Sequence, residues 1–172
     1  GDGSNTLTDQ ANGTYTGFIT SKRAGLDDNI KFTVGVLGES DKHASLTYTA
    51  GNLNLEKSEI TVNPSTITAD EVDKAIVTIQ FKDVFENNLD GEVVGVISLE
   101  GVNFGQAKDR GDARFVGNGK YEIDVISRKI GTDTITAFLD QDAIARGKAV
   151  DITYIAGEAT ATNSIITAHP PV

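Results

Sequence analysis

Over the middle of the chain, apolar and polar residues alternate with a period of two. Between Lys74 and Phe81, Ala75, Val77, Ile79 and Phe81 fall on one side, and Thr78 and Gln80 on the other. Tyr121, Ile123 and Val125 alternate with Glu122 and Asp124, and the sets Ile135, Ala137, Leu139 and Val150, Ile152, Tyr154 repeat the pattern. A period of two is the mark of a strand with one face buried. Turn-forming clusters separate these runs: Asn87-Asn88-Leu89-Asp90-Gly91, Gly117-Asn118-Gly119 and Gly131-Thr132-Asp133. Helical spacing is absent, and the stretch from Asp140 to Arg146 reads as a connection between strands. The expected fold is all-β: two antiparallel sheets, each with one solvated face, closing a sandwich. Val77, Ile79, Ile123, Val125, Ile135 and Ile152 are its expected core. The first third of the chain follows the same grammar, with Tyr15, Gly17 and Ile19, then Ile30, Phe32, Val34 and Val36, then Leu46 and Tyr48 in three strands.

The chain also repeats itself. Asn12-Gly13-Thr14-Tyr15 returns as Asn118-Gly119-Lys120-Tyr121, and Tyr48-Thr49-Ala50-Gly51 as Tyr154-Ile155-Ala156-Gly157. Ser58, Ile60, Thr61 and Pro64 return as Ser164, Ile166, Thr167 and Pro170, and every offset is 106 residues. Residues 12–66 laid over 118–172 without gaps give 16 identities, in one register across three separate motifs. A tandem array has this signature. A unit of about 100 residues suits an immunoglobulin-like antiparallel β-sandwich and is too long for the common solenoid repeats. The expected layout is the C-terminal half of a repeat in residues 1–57, a complete repeat in 58–157, and the linker and first strand of another in 158–172. The inward residues of the half repeat (Tyr15, Ile19, Phe32, Val34, Val36, Leu46, Tyr48) have no partner inside the 58–157 sandwich. A strand-exchanged homodimer, completed by the 164–167 strand or by a second copy, is therefore one expectation.

Composition sharpens this reading. Forty-nine Val, Ile and Thr stand against nine Leu, and β-branched side chains suit a pleated surface. The hydrophobic content of 38% is enough for a core. No apolar run approaches the roughly 18 residues of a membrane helix, so no direct membrane insertion is expected. A net charge of −10 argues against nucleic acid and anionic lipid as partners. The absence of Cys removes disulfides, thiolate nucleophiles and Cys-based metal sites. The absence of Met reads as an excerpt or a processed product.

Three runs bear a family likeness: Ser65-Thr66-Ile67-Thr68-Ala69-Asp70, Ala75-Ile76-Val77-Thr78-Ile79-Gln80-Phe81-Lys82-Asp83, and Glu86-Asn87-Asn88-Leu89-Asp90-Gly91. Together with Asn118-Gly119-Lys120-Tyr121 and the closing run from Val150 to Gly157, they resemble the bacterial immunoglobulin-like repeats of invasin and intimin type adhesins. Leu89-Asp90-Gly91 stands where that family usually has Val-Pro-Gly, and Leu99 to Asp112 matches nothing clearly. The resemblance covers the complete repeat and, through the internal repetition, most of the half. It implies a spacer or adhesive module of a bacterial surface protein, extracellular or secreted, with neighbouring Ig-like repeats as partners; a host or surface protein receptor is a further candidate partner, and the resemblance does not imply that this unit touches it. Its motifs are turn and core residues, which specify a fold better than an activity.

Candidate chemistry is sparse. His43 and His169 occupy non-equivalent points of the repeat, without a nucleophile or phosphate loop in sequence, and no enzymatic activity is expected. Calcium is the one cofactor the loops suggest, because it takes six to eight oxygens, several of them charged. Asp83, Glu86 and Asp90 with Asp109 and Asp112 are the candidate ligands, although none has Asp-x-Asp-x-Asp-Gly spacing. The plainer reading is that acidic loops keep an exported protein soluble. Tyr15 and Tyr121 read as core-edge rings bonded to backbone, and Lys22-Arg23 with their copies Arg128-Lys129 as solvated turns or partners of an acidic neighbouring domain. Phe85 and Phe104 are the rings open to a carbohydrate. The alternatives to a spacer are therefore a ligand-binding module (for protein or carbohydrate, calcium-dependent or not) and an accessory sandwich of a secreted enzyme.

Overall fold

The computed structural model describes residues 6–33, 38, 40, 42–101, 112–146, 148–158, 165 and 167. The described residues form thirteen strands and no helix. In order they are β1 (Thr8–Asp9), β2 (Tyr15–Thr16), β3 (Gly25–Ile30), β4 (Ala44–Tyr48), β5 (Glu59–Asn63), β6 (Thr66–Thr68), β7 (Ala75–Gln80), β8 (Ile97–Gly101), β9 (Arg114–Gly117), β10 (Lys120–Val125), β11 (Gly131–Leu139), β12 (Asp142–Ala143) and β13 (Val150–Ile155). One sheet of the sandwich runs β5-β7-β10-β9. The other runs β12-β11-β13-β6, with β8 also paired to β11.

Alternation in the sequence becomes burial between these sheets. Ala75, Val77, Ile79 and Phe81 are fully buried, and Tyr121, Ile123, Val125, Ile135, Ala137, Leu139, Ile152 and Tyr154 join them in one core. The six expected core positions are all inside. Phe81 meets Tyr121 edge to face, ring centroids 5.6 Å apart. The Tyr121 hydroxyl accepts from the Val93 N–H at 2.9 Å, which satisfies its polar end at the core edge. One feature departs from the antiparallel expectation. Pro64, with no N–H to donate, follows the last residue of β5. The chain then changes sheets, and β6 lies parallel to β13. The Asp140–Arg146 connection folds back as a short hairpin through β12.

Asn118 and Gly119 join β9 to β10 with φ of +49° and +64°. Positive φ at both central positions defines the type I′ hairpin turn, whose twist matches that of the strands it joins. A Cβ on Gly119 would lie 2.9 Å from both the Leu89 Cβ and the Leu89 carbonyl. Gly119→Val is therefore expected to cost about 2 kcal/mol or more, from strain and clash together. Chemical denaturation checks this, and an unchanged midpoint would place the turn elsewhere.

The first strands copy part of the sandwich. β3 pairs β4 with Gly25 opposite Tyr48, Leu26 opposite Thr47 and Asp27 opposite Leu46. β11 pairs β13 with Gly131 opposite Tyr154, Thr132 opposite Thr153 and Asp133 opposite Ile152. Each pair is the other shifted by 106 residues. The environments differ: Tyr15 is 61% exposed where Tyr121 is 7%, and Ile19, Phe32 and Leu46 are also exposed. Four of the seven expected inward residues of this half are thus uncovered, while Tyr48 is partly buried. Val34 and Val36 lie outside the described residues, as do Ser164 and Ile166 of the expected 164–167 strand.

Candidate functional site

The residues that follow β7 form a densely bonded loop whose side chains reach the first strands. Asp83 is 2% exposed. One carboxylate oxygen accepts from the Phe85 N–H at 2.8 Å and the Asn87 N–H at 2.9 Å. The other accepts from the Gly51 N–H and from Asn87 Nδ2, both at 2.8 Å. A carboxylate with four N–H donors can tolerate burial, because the bonds replace its lost hydration. Asp83 thereby folds its own loop and takes hold of Gly51, 32 residues earlier.

Asn87 extends the grip. Its Oδ1 accepts from the Ala24 N–H at 2.9 Å, and its Nδ2 donates to the Lys22 carbonyl at 2.8 Å. An amide can do both at once, and here it closes on the backbone of one short turn. Asp90 accepts from the Ala50 N–H at 3.2 Å. The ammonium of Lys22 sits 5.9 Å from the centre of the Phe85 ring, within cation–π range. Between the two parts, the linker is tied down by Asn54 N–H to the Lys82 carbonyl, by buried Ser58 bridging the Asn54 carbonyl and the Lys82 N–H, and by the ion pair Lys57–Glu86 at 2.8 Å.

The electrostatics follow. Burial pushes the Asp83 carboxyl up, but the Asn87 amide and the N–H groups of Gly51, Asn87 and Phe85 outweigh it and hold the group below its ordinary value of 3.8. A carboxylate depressed on folding contributes stability above its unfolded pKa, and that contribution is lost as pH falls through the folded value. The amides of Gly51 and Phe85 are therefore expected to lose exchange protection, corrected for intrinsic rate, as pH drops below 3.8. An Asp83→Asn variant should lack this step. Protection unchanged down to pH 2 would contradict the assignment.

The expected calcium ligands divide. Asp83, Glu86 and Asp90 share one loop, and each directs its oxygens at N–H donors or an ammonium. Asp112 is exposed, and Asp109 lies outside the described residues. Among the described residues no three His, Cys, Asp or Glu side chains gather to hold a metal. His43 is exposed, and His169 and Phe104 lie outside the described residues. Phe85 is half exposed under Lys22. The sequence reading overlooked Asn87 as a connector. Its partners across the joint are backbone groups, which carry no side-chain signature; the surviving clue is Asp83, just after a strand and four residues before an Asn.

Residues 54–157 match the family model described as invasin, domain 3. No curated protein gives a significant sequence match. Among solved structures, the chain is similar to InvD of Yersinia pseudotuberculosis, at 20% identity and a TM-score of 0.61 over 97% of this chain and 49% of that one. It is also similar to FdeC, an Escherichia coli adhesin, at 22% identity and a TM-score of 0.54 over 89% and 48%. Invasin, a bacterial integrin-binding protein, gives 19% identity and a TM-score of 0.53 over 67% and 22%. The chain thus spans about a fifth to a half of the length of these structures. At such identities the likeness is one of fold.

Proposed function

The chain belongs to the invasin domain 3 family, and from that premise we propose that it is a non-enzymatic structural repeat in the extracellular part of a bacterial adhesin. In this reading residues 1–57 are the second half of one repeat, 58–157 a complete repeat, and 158–172 the start of another. The task of the repeats is to hold a binding region away from the cell surface at a set distance.

The observation that carries this reading is the Asp83–Asn87 loop. Its side chains bond to the backbone of the preceding strands at Lys22, Ala24 and Gly51. A spacer needs such a joint, because free linkers between rigid modules would let the array fold back on itself. A ligand site instead leaves polar groups facing outward for a partner, and here the convergent polar groups satisfy each other.

Immobilised full-length chain tests the proposal. Like a spacer, it is expected to show no saturable binding to an integrin-coated surface, and to extend the reach of a binding module fused beyond it. Saturable integrin binding by the chain alone would replace the spacer reading with a receptor-binding one.

A further inference from the structure

The joint has two sides, and the complete repeat carries a second copy of one of them. The loop grips the Lys22 carbonyl, the Ala24 N–H, the Ala50 N–H and the Gly51 N–H. A shift of 106 residues places Arg128, Ile130, Ala156 and Gly157 on those positions. Three of the four gripped groups are N–H donors and the fourth is a carbonyl, so the change of side chain from Ala24 to Ile130 leaves the recognised atoms in place.

The two backbones match in detail. Ser21 Oγ accepts from the Arg23 N–H at 3.0 Å and donates to the Arg23 carbonyl at 2.8 Å. Ser127 Oγ makes the same two bonds with Lys129, at 3.1 and 3.0 Å. Gly25 and Gly131 then enter their strands at φ of +132° and +143°, in the identical register against Tyr48 and Tyr154 described above. Among the described residues, the Arg128 carbonyl and the N–H groups of Ile130, Ala156 and Gly157 accept or donate no hydrogen bond, and Ile130 is 68% exposed.

We infer that Arg128, Ile130, Ala156 and Gly157 form a docking surface for an Ig-like repeat whose loop carries Asp and Asn at the spacing of Asp83 and Asn87. The occupant is specified by chemistry already visible at the first joint. It needs one carboxylate to take the Gly157 N–H, one amide to bridge the Ile130 N–H and the Arg128 carbonyl, and a second carboxylate, as at Asp90, for the Ala156 N–H. Lys129, the repeat equivalent of Arg23, places a cation next to the surface in sequence, which suits an acidic loop as occupant. Side chains differ around this frame, since the Arg128 guanidinium is paired with Glu71, whereas Lys22 lies over Phe85. The recognition therefore rests on main chain. Because the surface and the loop that fits it lie at different places on one unit, the contact is head to tail and propagates along an array. This inference rests on the spacer reading and specifies how its units meet.

Amide hydrogen exchange tests it, on the full chain and on a chain in which Gly157 runs directly into a second copy of residues 52–157. Gly157 is the repeat equivalent of Gly51, so this splice preserves the spacing. The Ile130 and Gly157 amides are expected to exchange about tenfold or more slowly in the extended chain, as native hydrogen bonds confer. Ala24 and Gly51 serve as internal references and should be protected in both. Replacing the appended copy's Asn87 by Leu should return Ile130 to its faster rate while the appended copy's own core amides stay protected. Unchanged exchange of Ile130 and Gly157 beside a folded appended repeat would overturn the docking surface. It would leave the spacer reading intact, since that reading rests on the first joint, which the Ala24 and Gly51 amides report independently in the same experiment.

Discussion

Phe81→Ala is expected to lower the unfolding free energy of the sandwich by about 4 kcal/mol. The ring is fully buried and packs edge to face on Tyr121. Its backbone also closes the site region, with its N–H on the Gly119 carbonyl at 2.9 Å and its carbonyl taking the Leu89 N–H at 3.1 Å. Truncation removes the transfer free energy of the ring and leaves a cavity between two sheets that cannot collapse freely. Phe85→Ala is the matched comparison, since that ring is half exposed and should cost only about 0.5 kcal/mol. Urea unfolding of both variants checks the pair, and similar midpoints would mean that the core is misassigned.

Asp83→Ala should be the most damaging polar substitution, at about 3 kcal/mol. It strips the acceptor from three backbone N–H groups and from the Asn87 amide. Asn87→Ala should cost about 1–2 kcal/mol, because its main lost partners are the Ala24 N–H and the Lys22 carbonyl. The two residues share a bond, so their effects should be non-additive by about 1 kcal/mol in a double-mutant cycle. Additive costs would show that Asp83 and Asn87 act separately, one within the loop and the other across the joint.

The sequence made the sandwich legible where burial decides the residue. Val77, Ile79, Ile123 and Ile135 had to alternate because a strand has only two faces, and one of them is the core. Asn118-Gly119 was legible for a different reason: few residues accept positive φ at two successive positions. The parallel pairing of β6 with β13 was not, since a parallel and an antiparallel edge use the same side chains and differ only in where the chain crosses. The joint was half legible. Asp83, Glu86, Asn87 and Asp90 stand out as an oxygen-rich loop, and oxygen-rich loops suggest a cation. The oxygens of Asn87, Asp90 and Asp83 accept from the backbone of Ala24, Ala50 and Gly51, and a backbone N–H is the same at every residue except proline. The internal repeat was the clearest signal of all, and it shows where a second copy of that backbone lies.

Residual dipolar couplings measured on the full chain test the central claim most directly, that the Asp83–Asn87 loop fixes the first strands to the sandwich. Amides of β3 and β4 and amides of β7, β10, β11 and β13 should fit a single alignment tensor in the unaltered protein. In an Asp83→Ala, Asn87→Ala double variant the two groups should need different tensors, with β3 and β4 weakly aligned. Two tensors in the unaltered protein, with both groups internally well ordered, would contradict a fixed joint.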